Sequence, residues 1–522
     1  MKKLLYILGG AAMVLSAGSC KKFFDINEDP NRVITNSPEL VLPQAIVGAT
    51  HITSTDYNTM GADLMYRANA GGFSGFGTVI SYDYTNGSHT AQWANMYDNL
   101  NDFKYVKDKT AGDPKYVYYN AVARIMMAHD WQLLVDTYND IPYTEALQGA
   151  ENISPKYDKA ENIYKDIAAQ IDTAINLINS GLANPLTTLA LTKESDPLFS
   201  QSGPNMTLWK QFANTLKLRM IVRAGNKVQW NNTNFSSDGF LTTDAMVNPG
   251  YVKVAGKQNP IWPYSVTNTA SASSRLPSYF SLSFYDGTKI NDPKRGAVTF
   301  RTFPGTQANQ LGNETNPTPP NSPVPHNWFK GTNGTTYEKA GIYKGFDAPL
   351  PIMLGAESYL LQAEAMVRGL IPGDPATAFN KAIEASFIYL YRDNTGNVPG
   401  SGAYSKPVDD ATAYRTLNNT NPLVNFALAT TDEEKIEAII TQKYVALTMI
   451  HSHEAWNEYR RTGYPRVTGS GPTQTMASTV SMSTRPDRMP TRVLYPTSEF
   501  NTNKENVPKD INKFGSLIFW AK

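Results

Sequence analysis

Cysteine occurs once in the 522 residues, at position 20. A lone thiol forms no internal disulfide, so the fold must be held by packing alone. Net charge is almost absent as well: 47 Lys and Arg stand against 46 Asp and Glu, for a formal charge of +1. That balance excludes the basic surplus with which nucleic-acid binders neutralise phosphates, so no nucleic-acid partner is expected. Histidine is scarce, with His51, His89, His129, His326, His451 and His453 the full set. Only His451 and His453 lie close together, and residues two apart on a helix point to different sides, which makes a poor metal chelate. There is no His-Glu-x-x-His, no Gly-x-Ser-x-Gly and no phosphate-cradling glycine loop. No catalytic residue, metal or cofactor is therefore expected. Paired carboxylates for glycoside hydrolysis leave no sequence motif, so a lipid-anchored glycan hydrolase stays open as the enzymatic alternative.

What is present begins at the N-terminus. Lys2 and Lys3 precede the apolar stretch Leu4–Ala17, which is shorter than the roughly 20 residues a membrane span needs. The small residues Ala17-Gly18-Ser19 then lead into Cys20. This is the pattern of a lipoprotein signal peptide over residues 1–19, with Cys20 as the lipidated residue and 20–522 as one mature domain. Several acyl chains anchor a protein stably where one is marginal. No later segment reaches membrane-spanning length without charges, so the expectation is a chain anchored to a membrane and not crossing it.

Lys21–Glu39 reads as a tether with Pro30 and Pro38. Asp25-Ile26-Asn27-Glu28-Asp29 has the alternating oxygens that open a calcium loop, but Pro30 stands where the turn needs Gly and Asn36 where a bidentate Glu is needed. Helical spacing starts at Gln92 with Trp93, Met96, Tyr97 and Leu100, and continues over Tyr118–Leu134. Asp158 and Glu161 suggest a capping box before a helix striped by Ile163, Ile167, Ile171, Ile175 and Ile178. A further helix around Trp209–Met220 ends near Gly225. Residues 231–345 are rich in Asn, Thr, Ser, Pro and Gly and read as a long irregular excursion, a kind of segment that is usually functional. Helices resume over Pro351–Arg368 and Ala376–Tyr391, 395–425 reads as loop, and Glu433–Arg461 as one long helix. The helices come in pairs, with Ala363, Ala365, Ala378 and Ala382 where neighbours would cross closely. Tetratricopeptide-like packing and a generic helical bundle both fit.

Aromatic residues among Gly, Ser, Asn and Thr are the candidate ligand surface. Phe73, Phe76, Tyr82, Tyr84 and Trp93 form one group, with Trp262, Tyr264 and Trp328 added from the excursion. A flat ring stacks on the C–H face of a sugar or on a peptide side chain, while nearby amides meet hydroxyls. The same rings would also serve to pin long loops to a helical core.

Several segments together resemble the SusD/RagB family. They are Phe24-Asp25-Ile26-Asn27-Glu28-Asp29-Pro30-Asn31, Asp140-Ile141-Pro142-Tyr143-Thr144-Glu145-Ala146, and Trp209 to Arg219. Further along come Ala363-Glu364-Ala365 with Arg368-Gly369, Glu454-Ala455-Trp456 with Tyr459 to Pro465, and Arg492 to Pro496. The resemblance implies a mostly α fold of about four tetratricopeptide-like helix pairs with long irregular loop insertions. It also implies an outer-membrane, cell-surface lipoprotein that captures an oligosaccharide or peptide for a SusC-like, TonB-dependent transporter, without catalysis. The family motifs themselves, including Trp456, Tyr459, Arg460 and Arg461, read as structural. A helical-repeat scaffold binding only protein is the remaining alternative.

Overall fold

The computed structural model describes residues 36–263, 273–314, 328–330 and 339–522. The signal peptide, Cys20, the Asp25–Asp29 segment, Tyr264 and His326 lie outside the described residues. The chain is mostly α, as expected. Helix α1 (Pro38–Ile52) passes through a π-turn, Thr53–Tyr57, into α2 (Asn58–Met65). The hydroxyls of Thr50, Thr53 and Thr55 each donate to the carbonyl four residues back, which competes with the helix ladder and accompanies the widened turn. Helices α3 (Thr90–Lys109), α4 (Val117–Tyr138), α5 (Ala160–Ala183) and α6 (Met206–Ala224) follow. The C-terminal half supplies α7 (Gly355–Val367), α8 (Pro375–Tyr391), α9 (Pro407–Leu417), α10 (Asp432–Ala446) and α11 (Ser452–Thr462).

Successive helices stack on one another: α1 on α3, α3 on α4, and so on through α5, α6, α7 and α8 to α9. Then α10 packs back on α7, and α11 on α2. In α4 every residue except Val117 and Arg124 is buried, the pattern of a helix enclosed on all sides. The isoleucine stripe of α5 is wholly buried. A Cβ on Gly181 would come within 2.9 Å of the Tyr118 ring, so glycine permits the close crossing of α4 and α5. Ala363, Ala378 and Ala382 are likewise buried on the helices α7 and α8, which pack together, while Ala365 clusters with Leu218 and Val222 of α6.

Four local expectations are corrected. Residues 433–461 form two helices, because Met449 takes φ +62° between α10 and α11. Helix α9 lies within 395–425, and it buries only Pro407, Ala411 and Tyr414, too thin a stripe to stand out in the sequence. Pro351 belongs to strand β6 (Leu350–Met353), and the helix begins at Gly355. No capping box opens α5: the Asp158 carboxylate instead accepts from the Thr144 N–H at 2.8 Å. A capping box does open α10, where Thr431 and Glu434 exchange bonds.

Strands are few, short and antiparallel. β1 (Arg67–Asn69) pairs with β5 (Arg275–Pro277), β2 (Ile141–Pro142) with β3 (Tyr157–Asp158), and β4 (Ala245–Val247) with β6. In the first pair Asn69 faces Arg275 and Arg67 faces Pro277, which ties the start of the chain to the excursion.

The centre of the molecule is ionic. Arg223 of α6 binds Asp136 of α4 and Glu454 of α11, and reaches Glu458 at 3.2 Å. Arg219 meets Glu357 at 3.3 Å and Glu454 at 3.5 Å. Lys443 of α10 meets Glu458 at 3.0 Å. Arg461 makes two parallel bonds of 2.7 Å to Glu364. All of these groups are buried. Four of the nine, Arg219, Glu364, Glu454 and Arg461, belong to the motif segments that carry the family resemblance, so those motifs supply part of one internal charge network.

Candidate functional site

The sequence-predicted rings are placed mostly inside. Tyr82 is fully buried, and its hydroxyl accepts from the Ser478 N–H at 3.1 Å. Burial pushes that hydroxyl well above the ordinary phenol range, so it stays protonated. Tyr84 packs edge-on to His89, and Trp93 packs against Tyr97 and Tyr138. Trp262 sits on Phe346, and the Trp328 indole donates to the Ser273 carbonyl at 2.9 Å. Phe76 is covered by the Arg275 guanidinium, 4.3 Å from the ring centre. All six of these rings are buried in this structure. Phe73, on the glycine-rich loop 71–77, is only half-buried.

The loops around Phe76 and Tyr82 nevertheless lead to a cavity. Asn69, at the end of β1, accepts from the Gly312 N–H at 2.8 Å. Asn309 donates to the carbonyls of Asn69 and Asn313. Gly312 takes φ +84°, and a Cβ there would lie 2.8 Å from the Thr479 hydroxyl, so a side chain would separate the two loops. The Met482 N–H donates to the Ser81 carbonyl at 2.9 Å. Segments more than 200 residues apart thus converge on one face.

Between them lies a cavity of about 300 Å³, lined by Gln310, Val467, Gly469, Ser470, Thr475, Ala477–Thr479 and Pro486–Arg488. Its walls are rich in hydroxyl, amide and backbone groups. Asp487, its one lining carboxylate, is held by Arg485 at 3.1 Å. A second cavity, of about 440 Å³, lies between Leu282, Tyr285, Asp286, Asn291, Pro293, Ala297 and Phe303–Thr306 and has mainly apolar walls. Neither lining set holds two carboxylates, the pair that glycoside hydrolysis uses. The first cavity suits a hydroxyl-bearing ligand, bound through hydrogen bonds.

Sequence reasoning missed Gln310, Ser478, Asp487 and Arg488. Gln310 falls in the excursion read as irregular, the other three lie beyond the last predicted helix, and no spacing links them. Arg485-Pro486-Asp487-Arg488, a charged turn, was the one available signal. Among the described residues no group of three or more His, Cys, Asp or Glu could hold a metal ion. The His451 and His453 rings lie 5.8 Å apart, and His451 Nε2 is 3.0 Å from the Pro351 carbonyl. No helix among the described residues is long and apolar enough to cross a membrane.

Stacked helices around an internal charge network, with a polar cavity lined by Gln310 and by loop residues between 467 and 488, define a helical scaffold with a loop-built site. The chain belongs to the SusD-like family described as starch-binding associating with outer membrane, whose model matches residues 30–496. No curated protein matches the sequence. Among solved structures, a SusD homologue from Bacteroides fragilis has a TM-score of 0.66 at 20% identity, covering 94% of this chain and 100% of its own. A chitin-binding SusD homologue from Flavobacterium johnsoniae has a TM-score of 0.68 at 20% identity, covering 92% and 98%. One from Bacteroides uniformis has a TM-score of 0.64 at 21% identity, covering 92% and 99%. At these identities the likeness establishes the fold.

Proposed function

We propose that this chain is a nutrient-binding lipoprotein of the outer membrane, held at the cell surface through Cys20. It captures an oligosaccharide, or in the second instance a peptide, and delivers it to a SusC-like, TonB-dependent transporter. The observation that carries this reading is the match of a starch-binding, outer-membrane family to residues 30–496. The polar cavity supplies a place for the ligand, and among the predicted rings that the structure describes Phe73 alone is not buried. The mechanism is reversible binding with no bond broken. Tethering beside a transporter raises the local concentration, so modest affinity suffices.

The family description makes malto-oligosaccharides the first probes, and the chitin-binding homologue makes chito-oligosaccharides the second. Calorimetry on the full chain in detergent, with short peptides as a third set, is expected to give saturable binding of one set, with the ligand recovered intact. Shortened product in the same mixture would establish the hydrolase instead. Binding of a partner protein but of no small ligand would establish the scaffold.

A further inference from the structure

We infer that the cavity at Arg488 is built for an acidic oligosaccharide, one whose carboxylate meets the Arg488 guanidinium. The inference rests on the capture reading above. Two guanidiniums and one carboxylate sit together here. Arg485 takes up the Asp487 carboxylate with both arms, Nε to Oδ1 at 3.1 Å and Nη2 to Oδ2 at 3.3 Å. The Met489 N–H and the Tyr459 hydroxyl occupy Asp487 further. Arg488 has no carboxylate partner among the described residues. Its Nη2 donates to the carbonyls of Thr479 and Ser481, both at 3.1 Å. A guanidinium carries five N–H donors, so those on Nη1 and Nε are left for a ligand.

The position is fixed against its own preference. Arg488 takes φ +58°, a conformation that favours glycine or asparagine. It is held there by its N–H on the Arg485 carbonyl and by the Ser481 hydroxyl on its own carbonyl, at 2.7 Å. A non-glycine residue kept in this region by its surroundings is a frequent mark of a ligand clamp. The other polar lining side chains, Gln310, Ser470, Thr475, Ser478 and Thr479, are uncharged. The wall thus presents one uncompensated cation beside neutral groups suited to sugar hydroxyls. A carboxylate completes it, whereas a neutral sugar leaves the charge without a counterion.

The test compares oligogalacturonate, oligoglucuronate and oligomannuronate trimers with their methyl esters, by calorimetry on the full chain at low and high NaCl. One acid is expected to bind at least about tenfold tighter than its ester, with the advantage shrinking as salt screens the pair. Arg488→Gln is expected to abolish the advantage, so that acid and ester bind the variant equally. Where that variant fails to fold, the salt series on the native chain carries the same test. Equal binding of acid and ester, or binding confined to neutral malto- or chito-oligosaccharides and unaffected by Arg488→Gln, overturns the charge inference and leaves capture standing. No binding of any acidic or neutral oligosaccharide overturns the inference together with its oligosaccharide premise.

Discussion

Arg223 shares one buried guanidinium among Asp136, Glu454 and Glu458. Removing it takes away the ion partner of Asp136 and leaves an excess of buried negative charge, which costs about 3–5 kcal/mol. Arg223→Met is expected to lower stability by that amount in urea unfolding. Lys104→Ala, at a partly exposed pair with Asp108, is expected to change it by less than about 1 kcal/mol. Equal effects would mean that the buried network does not hold the fold. The same residues set the response to acid. Burial holds His453 and His451 below the usual histidine range, so the unfolded chain takes up protons near pH 6.5 that the folded chain refuses. Stability is therefore expected to fall as the pH drops below about 6.5. Burial alone would raise Glu454, but Arg223 and Arg219 outweigh it and hold its carboxyl well below the usual range. Its contribution is present above pH 4.5 and is lost as the pH falls toward its depressed folded value. Unfolding midpoints between pH 7.5 and 5.5 check the histidine limb, and His453→Gln is expected to flatten it.

At the scale of elements, closeness of approach decides what the sequence can tolerate. Gly61 of α2 faces the backbone of α11, and a Cβ there would lie 2.6 Å from the His453 Cα. Backbone cannot swing aside as a side chain does. Gly61→Ala is expected to push α2 from α11 and cost about 1–3 kcal/mol or more, read from the denaturation midpoint. The elements differ in how far they were legible. The isoleucine stripe of α5 was plain because its period matches the helix over about four turns. Helix α9 shows the opposite case, with three buried residues on an otherwise exposed helix. The break at Met449 was hidden because a left-handed methionine is forced by the surrounding packing and has no residue signature. For the same reason the cavity was invisible. Its lining joins Gln310 to residues between 467 and 488, with the Gln310 amide donating to the Ser470 carbonyl at 3.2 Å across 160 residues of sequence. The aromatic residues gave a strong local signal, and most of those rings are buried in the structure.

Considered as a whole, the molecule closes on itself at its C-terminal segment. The Trp520 indole donates to Asp136 at 2.8 Å and lies against Arg223 and Arg460, while Ile518 is fully buried. Trp520→Ala is expected to cost about 3–5 kcal/mol and to lower the thermal midpoint of the entire chain, not of one end. Two separate transitions, with the α1–α5 half unaffected, would show that the halves fold independently. The internal charge network also bears on descent. Its members pair with one another in the interior, away from the cavity lining, so the loops around the cavity can be rewritten without disturbing them. Relatives that keep the frame at about a fifth of residues identical are thus free to diverge in what their loops accept, and ligand preference can be inherited separately from the fold.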